Sequence, residues 1–189
     1  MDDEYRREIE RQRERKIEYF ATDQHSPIPP DQRGEAFPGL AYFEPDLAYR
    51  FELPLDRYDE PESLVVGTSA DGEREYLRWG EFRFEIDGEE HSLQAYKSQP
   101  DESRLWVPFR DETNGEETYG AGRYLDLEEE HHRTATGEWI LDFNLAYNPT
   151  CAYNEAYECP LIPMENWLEA PIEAGEKAYP GETAAHHGH

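Results

Sequence analysis

The chain is short of base, of cysteine and of long apolar runs, and each shortage removes a class of protein. Eighteen Lys and Arg stand against 44 Asp and Glu, a formal net charge of −26. Only Lys16, Lys97 and Lys177 are lysines. Nucleic-acid binding draws its affinity from clustered cations that release phosphate counterions, and no such cluster exists here. Anionic membrane surfaces are disfavoured for the same reason. No apolar stretch approaches the roughly 20 residues that span a bilayer. The opening "MDDEYRREIERQRERKIEYF" lacks the apolar core of a signal segment, so a cytoplasmic location and no membrane partner are expected. Two cysteines cannot build a disulfide framework, and Cys151 and Cys159 are expected to be reduced there.

What is present points to a folded body. A length of 189 residues suits one domain with a real core. Hydrophobic residues are 37% and aromatics 13%, so that core must lean on Tyr, Phe and Trp. The acids are spread along the whole chain and interleaved with aromatics, whereas a disordered acidic tail is a block with few of them. Such a skin repels itself until salt shortens the Debye length to about 3 Å near 1 M. The pattern resembles proteins of salt-accumulating archaea.

Four segments follow. Residues 1–21 read as a helix, with Tyr5, Ile9, Ile17 and Phe20 on one face. Residues 22–41 form a strap, broken by four Pro and two Gly between Ser26 and Leu40. Residues 42–179 turn to a period of two, in "YRFEL", "SLVVGTS", "REYLRW", "EFRFEI", "HSLQAYK", "RLWVPFR", "TYGAGRYLDLE" and "EWILDFNLAY". Residues 180–189, ending in "AAHHGH", are expected to be a disordered tail. Strands at this spacing without intervening helices predict a mainly β fold. It is a single antiparallel β-barrel or sandwich with an N-terminal α-helix and a long irregular C-terminal loop region after Tyr147.

Hairpin signals set the register. A two-residue type I′ loop at Asp87-Gly88 pairs Ile86 with Glu89, Phe84 with His91 and Phe82 with Leu93, leaving His91 near the rim of a core face. The same rule at Asn114-Gly115 pairs Arg110 with Tyr119 and Trp106 with Arg123, and puts all four on one face. Large apolar groups lie on both faces of that hairpin, so both are expected to be covered. Its two arginines then need a carboxylate partner or a ligand anion. On the last strand Asp142 and Asn144 share a face, where Asp142 either neutralises Arg110 or Arg123 or lines a pocket.

These residues carry a resemblance. Phe109-Arg110-Asp111, Thr113, Gly115, Tyr119-Gly120 and Gly122-Arg123-Tyr124-Leu125 open the pattern. It continues with Asp142-Phe143-Asn144, Ala146-Tyr147-Asn148-Pro149, Cys151-Ala152-Tyr153, Cys159-Pro160, Pro163, Glu165-Asn166 and Gly175-Glu176. Together they resemble DUF1684, a family without an established function, over roughly Glu18 to Lys177. The resemblance implies that this signature is where a site should be sought, and implies no activity.

Three chemistries compete on the signature. Cys151 could be a nucleophile, but none of His25, His91, His131 and His132 stands in the signature to serve as its base. Cys151 and Cys159 are spaced wider than the usual zinc pair and no second pair exists, so no metal or other cofactor is expected. Asp111, Asp142 and Glu165 could supply an acid–base pair, though acids are too common here for their spacing to single any out. Two broader readings stand. One is a β-barrel binding a polar or anionic small molecule in a pocket of Trp106, Arg110, Tyr119, Arg123, Asp142, Asn144 and Tyr147, with a hydrolase variant using an acid or Cys151. The other is a structural or interaction module, monomer or homodimer, whose Arg–Asp pairs only lock the fold.

Overall fold

The computed structural model describes residues 2–184. Helix α1 runs Asp3–Thr22, and the Asp2 carboxylate caps it by accepting from the Glu4 N–H at 3.0 Å. Asp3 and Glu4 in its first turn complement the positive end of the helix dipole. Its inward stripe is Tyr5, Ile9, Arg13, Lys16 and Phe20, of which Ile9 and Phe20 are buried. The strap that follows packs Ile28, Phe37 and Leu40 into a cluster with Phe20, Tyr153 and Tyr179.

Among the described residues seven strands form two antiparallel sheets: β1 (Arg50–Leu53), β2 (Asp56–Gly67), β3 (Glu73–Ile86), β4 (Glu89–Lys97), β5 (Arg104–Phe109), β6 (Arg123–Glu128) and β7 (Trp139–Asp142). The larger sheet has the order β2-β3-β4-β5-β6, and β1 pairs with β7 alone. The sheets do not close on each other, so the fold is sandwich-like and the barrel alternative is set aside. The expected strands "REYLRW" and "EFRFEI" fuse into the single 14-residue β3, whose pairing with β4 slips between Arg78 and Gly80. A bulge there lets one long strand bend where two short ones were expected.

The core lies between the sheets. Phe82, Phe84, Leu93, Leu105, Val107, Phe109, Leu125 and Leu127 meet Trp139, Leu141 and Phe143 from the β7 side. Full burial of each such side chain stabilises the fold by about 1.5–3 kcal/mol before entropy is counted. Phe143 sits at the junction, its ring 5.1 Å from Phe109, 5.5 Å from Phe84 and 6.1 Å from Phe51. The outer face of the large sheet is also covered: Tyr96, Trp106, Tyr124 and Ile162 form a second cluster with Tyr76 and Tyr147 packed on it.

The first hairpin has the expected register, Ile86↔Glu89, Phe84↔His91 and Phe82↔Leu93. Asp87 at φ 52° and Gly88 at φ 82° supply the left-handed pair that a type I′ turn requires. His91 is half-buried, with its ring centroid 6.0 Å from that of Phe84. The second hairpin differs. Phe109 pairs with Arg123, Val107 with Leu125 and Trp106 with Asp126. The turn at Asn114-Gly115 is internal to a long loop, and the pairing is displaced by an odd number of positions. An odd slip exchanges the faces. Trp106 therefore points outward and Arg123 points between the sheets, away from Trp106. The last strand also stops early. Asp142 accepts from the Asn144 N–H at 2.9 Å and so caps the short 3₁₀ turn Phe143–Leu145, which takes Asn144 off the strand. At the C-terminus the Ala184 N–H donates to the Tyr153 carbonyl at 3.0 Å and its own carbonyl accepts from Glu155 at 2.9 Å. These contacts fall within the expected tail 180–189, of which residues 185–189 lie outside the described residues.

Candidate functional site

Arg123 is wholly buried, and the protein itself surrounds it. Nη1 donates to the carbonyls of Ala174 and Glu176, the latter at 3.1 Å, and Nη2 donates to the Ile172 carbonyl at 2.9 Å. Nη2 also meets Asp111 Oδ1 at 3.4 Å. Asp111 in turn accepts from Thr113 Oγ1 at 2.7 Å, the Ile172 N–H at 2.7 Å and Asn114 Nδ2 at 2.9 Å. Burial pulls the Arg123 pKa down and the Asp111 charge opposes it. This guanidinium pins residues 172–176 across the end of the sheet. Gly122 sits beside it at φ 100°, where a Cβ would stand 2.7 Å from the Phe109 carbonyl oxygen and 2.4 Å from Ile162. That close approach explains why glycine precedes the arginine.

The other expected pocket residues do not gather around Arg123. Arg110 is only half-buried and stacks on Trp167, its guanidinium carbon 4.3 Å from the ring centroid. Trp106 stacks on Tyr76 at 4.6 Å on the opposite face of the sheet. The Tyr119 hydroxyl lies 3.5 Å from Cys151 Sγ. Asp142, expected either to neutralise Arg110 or Arg123 or to line a pocket, meets neither arginine; it accepts from the Tyr5 hydroxyl of α1 at 2.5 Å and borders a space beside α1 with Arg50 and His132. Asn144 Nδ2 donates to that hydroxyl at 3.1 Å and to the Asp46 carbonyl at 2.8 Å. The carboxylates considered for acid–base work are likewise apart: Glu165 takes a two-nitrogen grip from Arg78, at 3.1 and 2.9 Å, and a hydrogen bond from Tyr96.

Asn144 and Tyr147 do meet in a cavity of about 190 Å³, beneath α1. Its other walls include Arg13, Lys16, Tyr42, Ile9 and Leu145, and neither Arg110 nor Arg123 reaches it. Among the described residues that line it there is no carboxylate, in a chain with 44 of them. Arg13 Nη1 donates to the Phe43 carbonyl at 2.7 Å and Nη2 to the Asn144 carbonyl at 3.3 Å. That holds the guanidinium with its carbon 4.5 Å from the centre of the Tyr42 ring. Arg13 Nε and the Tyr42 hydroxyl are both buried with no hydrogen-bond partner. Burial first, and then the charge of Glu176, push the Tyr42 hydroxyl above the ordinary phenol range, so it keeps its proton as a donor. Lys16 Nζ pairs with Glu176 Oε1 at 2.8 Å and stands 5.3 Å from the Tyr147 ring centroid. Glu176 is fully committed, since it also accepts from the Asn148 N–H at 3.1 Å and from the Tyr153 hydroxyl.

Arg13 and Lys16 were not among the candidates, though a signal for them exists. Tyr5, Ile9, Arg13, Lys16 and Phe20 recur at helical spacing. Two cations on the apolar stripe of a helix need an explanation that cations on its wet face do not.

The cysteines are both free and buried, and they adjoin. Cys159 Sγ accepts from the Cys151 N–H at 3.2 Å, and the Cys159 N–H donates to Ser69 Oγ at 3.0 Å. No cluster of three His, Cys, Asp or Glu side chains able to hold a metal ion occurs among the described residues. No helix among them is long and apolar enough to cross a membrane.

The architecture is a two-sheet β-sandwich with a helix laid on its edge and a pinned C-terminal strap. Residues 35–177 match the family model described as a protein of unknown function, DUF1684, and the chain belongs to that family. A solution NMR structure of an uncharacterized protein of Haloarcula marismortui is similar, at 41% identity and a TM-score of 0.69, over 93% of this chain and 95% of that one. No curated protein matches.

Proposed function

We propose that the protein binds a small carboxylate in the cavity beneath α1. The observation that carries this reading is a space lined by Arg13, Lys16 and Tyr42 with no acid on its walls, where Arg13 Nε and the Tyr42 hydroxyl also lack a hydrogen-bond partner. A buried donor left unpaired costs about 1–3 kcal/mol, and a carboxylate oxygen would satisfy both. Ile9, Leu145 and Ala146 offer the rest of the wall to a short hydrocarbon part. At about 30 Å³ per water-sized group, the space suits a ligand of about six such groups. The pocket first expected around both arginines of the β5–β6 hairpin is replaced by this one, which keeps Asn144 and Tyr147 from that set.

Melting curves at fixed molar KCl test the reading, with butyrate, succinate or inorganic phosphate added. Ligand at one hundred times its Kd stabilises the folded state by about 2.7 kcal/mol, which is about 5–10 °C for a chain of this size. A short carboxylate is expected to produce that rise and Arg13→Met to remove it. No rise with any of the three, or an equal rise in Arg13→Met, overturns the proposal.

We also infer that the acidic skin suits a cytoplasm of molar salt, a reading supported by the net charge of −26 and by the similarity to a Haloarcula protein. Self-repulsion of that size falls as the Debye length shortens. The melting temperature should climb steadily from 0.1 M to molar KCl; a flat or falling curve contradicts the inference.

A further inference from the structure

The cysteine pair is absorbed neither by the cavity nor by the Arg123 lock. Pro149 starts a single 3₁₀ turn, Thr150–Ala152, that directs the Cys151 N–H at Cys159 Sγ, 3.2 Å away. The far end of the loop is tied to the β2–β3 connection. The Ser69 N–H donates to the Cys159 carbonyl at 3.0 Å, the Leu161 N–H donates to the Gly67 carbonyl at 2.8 Å, and Thr68 bridges Pro160. The two sulfurs are thus held as neighbours by backbone on both sides.

Their surroundings are unequal. Cys151 Sγ is approached by the Cys159 thiol, the Tyr119 hydroxyl and the Ser69 hydroxyl, three groups able to donate to a thiolate. These outweigh burial and bring the Cys151 thiol down to about 6, while donating its own proton to Cys151 pushes the Cys159 thiol up. One sulfur is equipped to be the anion and the other to carry the proton. Both cysteines are buried, Cys151 at 8% and Cys159 at 6% exposure, so any oxidant that reaches them must be small.

We propose that Cys151 and Cys159 form a peroxide-reactive dithiol, in which Cys151 attacks and Cys159 resolves. The Cys151 thiolate takes one oxygen of hydrogen peroxide, the O–O bond breaks, and the departing hydroxide takes a proton and leaves as water. Cys151 becomes a sulfenic acid, oxidised by two electrons, and the peroxide is reduced. Cys159 sulfur then attacks Cys151 sulfur, the S–O bond breaks, and the hydroxyl leaves with the Cys159 proton as a second water. Two thiols and one peroxide yield one disulfide and two waters. A small-molecule dithiol restores the pair by exchange.

The test uses the full chain in molar KCl. Peroxide-treated protein is alkylated after denaturation and mapped by mass spectrometry. The expected product is 2 Da lighter, with Cys151 and Cys159 joined in one chain. The rate should rise with pH to a plateau whose midpoint lies below the value of about 8.5 of an ordinary thiol. In Cys159→Ser the sulfenic acid at Cys151 should accumulate and be trapped by dimedone, while Cys151→Ser should leave Cys159 inert. The wild-type map needs no variant to fold. Two unmodified thiols at peroxide levels that oxidise free cysteine, a link between chains, or trapping at Cys159 first would each overturn the proposal.

Discussion

Two arginines, the fully buried Arg123 and the half-buried Arg13, divide the molecule's polar interior between them. Both hold neighbouring backbone through carbonyl oxygens, and in both Nε lacks a partner. At Arg123 the guanidinium is sealed in the core with its carbon 5.1 Å from the centre of the Phe109 ring, and it pairs with Asp111. Arg13 instead lines open space, and no acid among the described residues lines that space. An unpaired donor alone therefore does not mark a site. What separates the two residues is that Arg13 also lines a cavity, whereas Arg123 is sealed and its orphan is a cost of building the fold.

The largest effect should come from Arg123→Met. It leaves Asp111 buried without its cation and the carbonyls of residues 172, 174 and 176 without donors, so chemical unfolding should show a loss of about 3–5 kcal/mol. Where that variant still folds in molar salt, its response to carboxylate should be unchanged. Lys16→Met comes next. Glu176 is fully buried and keeps its other two donors, so the same measurement should show a loss of about 2–3 kcal/mol. Arg13→Met should cost about 1–2 kcal/mol, for two hydrogen bonds to carbonyls, while abolishing the carboxylate response. This dissociation of a small stability cost from a complete binding loss separates the two arginines most sharply. Arg110→Ala should cost least, about 0.5–1 kcal/mol, for a stacking contact on half-exposed Trp167.

The sequence shows the helix to within two residues at its start and one at its end, and the β1 to β4 segments, because helical spacing, aromatic alternation and Asp-Gly turns are local signals. The Asp87-Gly88 register follows from its two turn residues alone. The Asn114-Gly115 register does not, because Asp111 and Thr113 draw that turn into a loop of their own through hydrogen bonds no two-residue rule contains. One odd slip then moved Arg123 from the face it was expected to share with Trp106 to the face between the sheets. Asp142 was expected beside a cation and lies beside Tyr5, 137 positions away in the chain, a pairing that only the docking of α1 creates. The cavity was legible only in part. Asn144 and Tyr147 stood out as polar and aromatic residues near a strand end, whereas Arg13 and Lys16 were hidden by the many Glu–Arg pairs around them on the same helix.

The most direct measurement is a proton–nitrogen correlation spectrum of the arginine Nε–H groups, recorded at fixed KCl while butyrate is added. The Arg13 Nε–H should move progressively and saturate, while the Arg123 Nε–H stays in place. If the Arg13 resonance does not move while butyrate raises the melting temperature, the carboxylate binds elsewhere and the cavity beneath α1 is not the site.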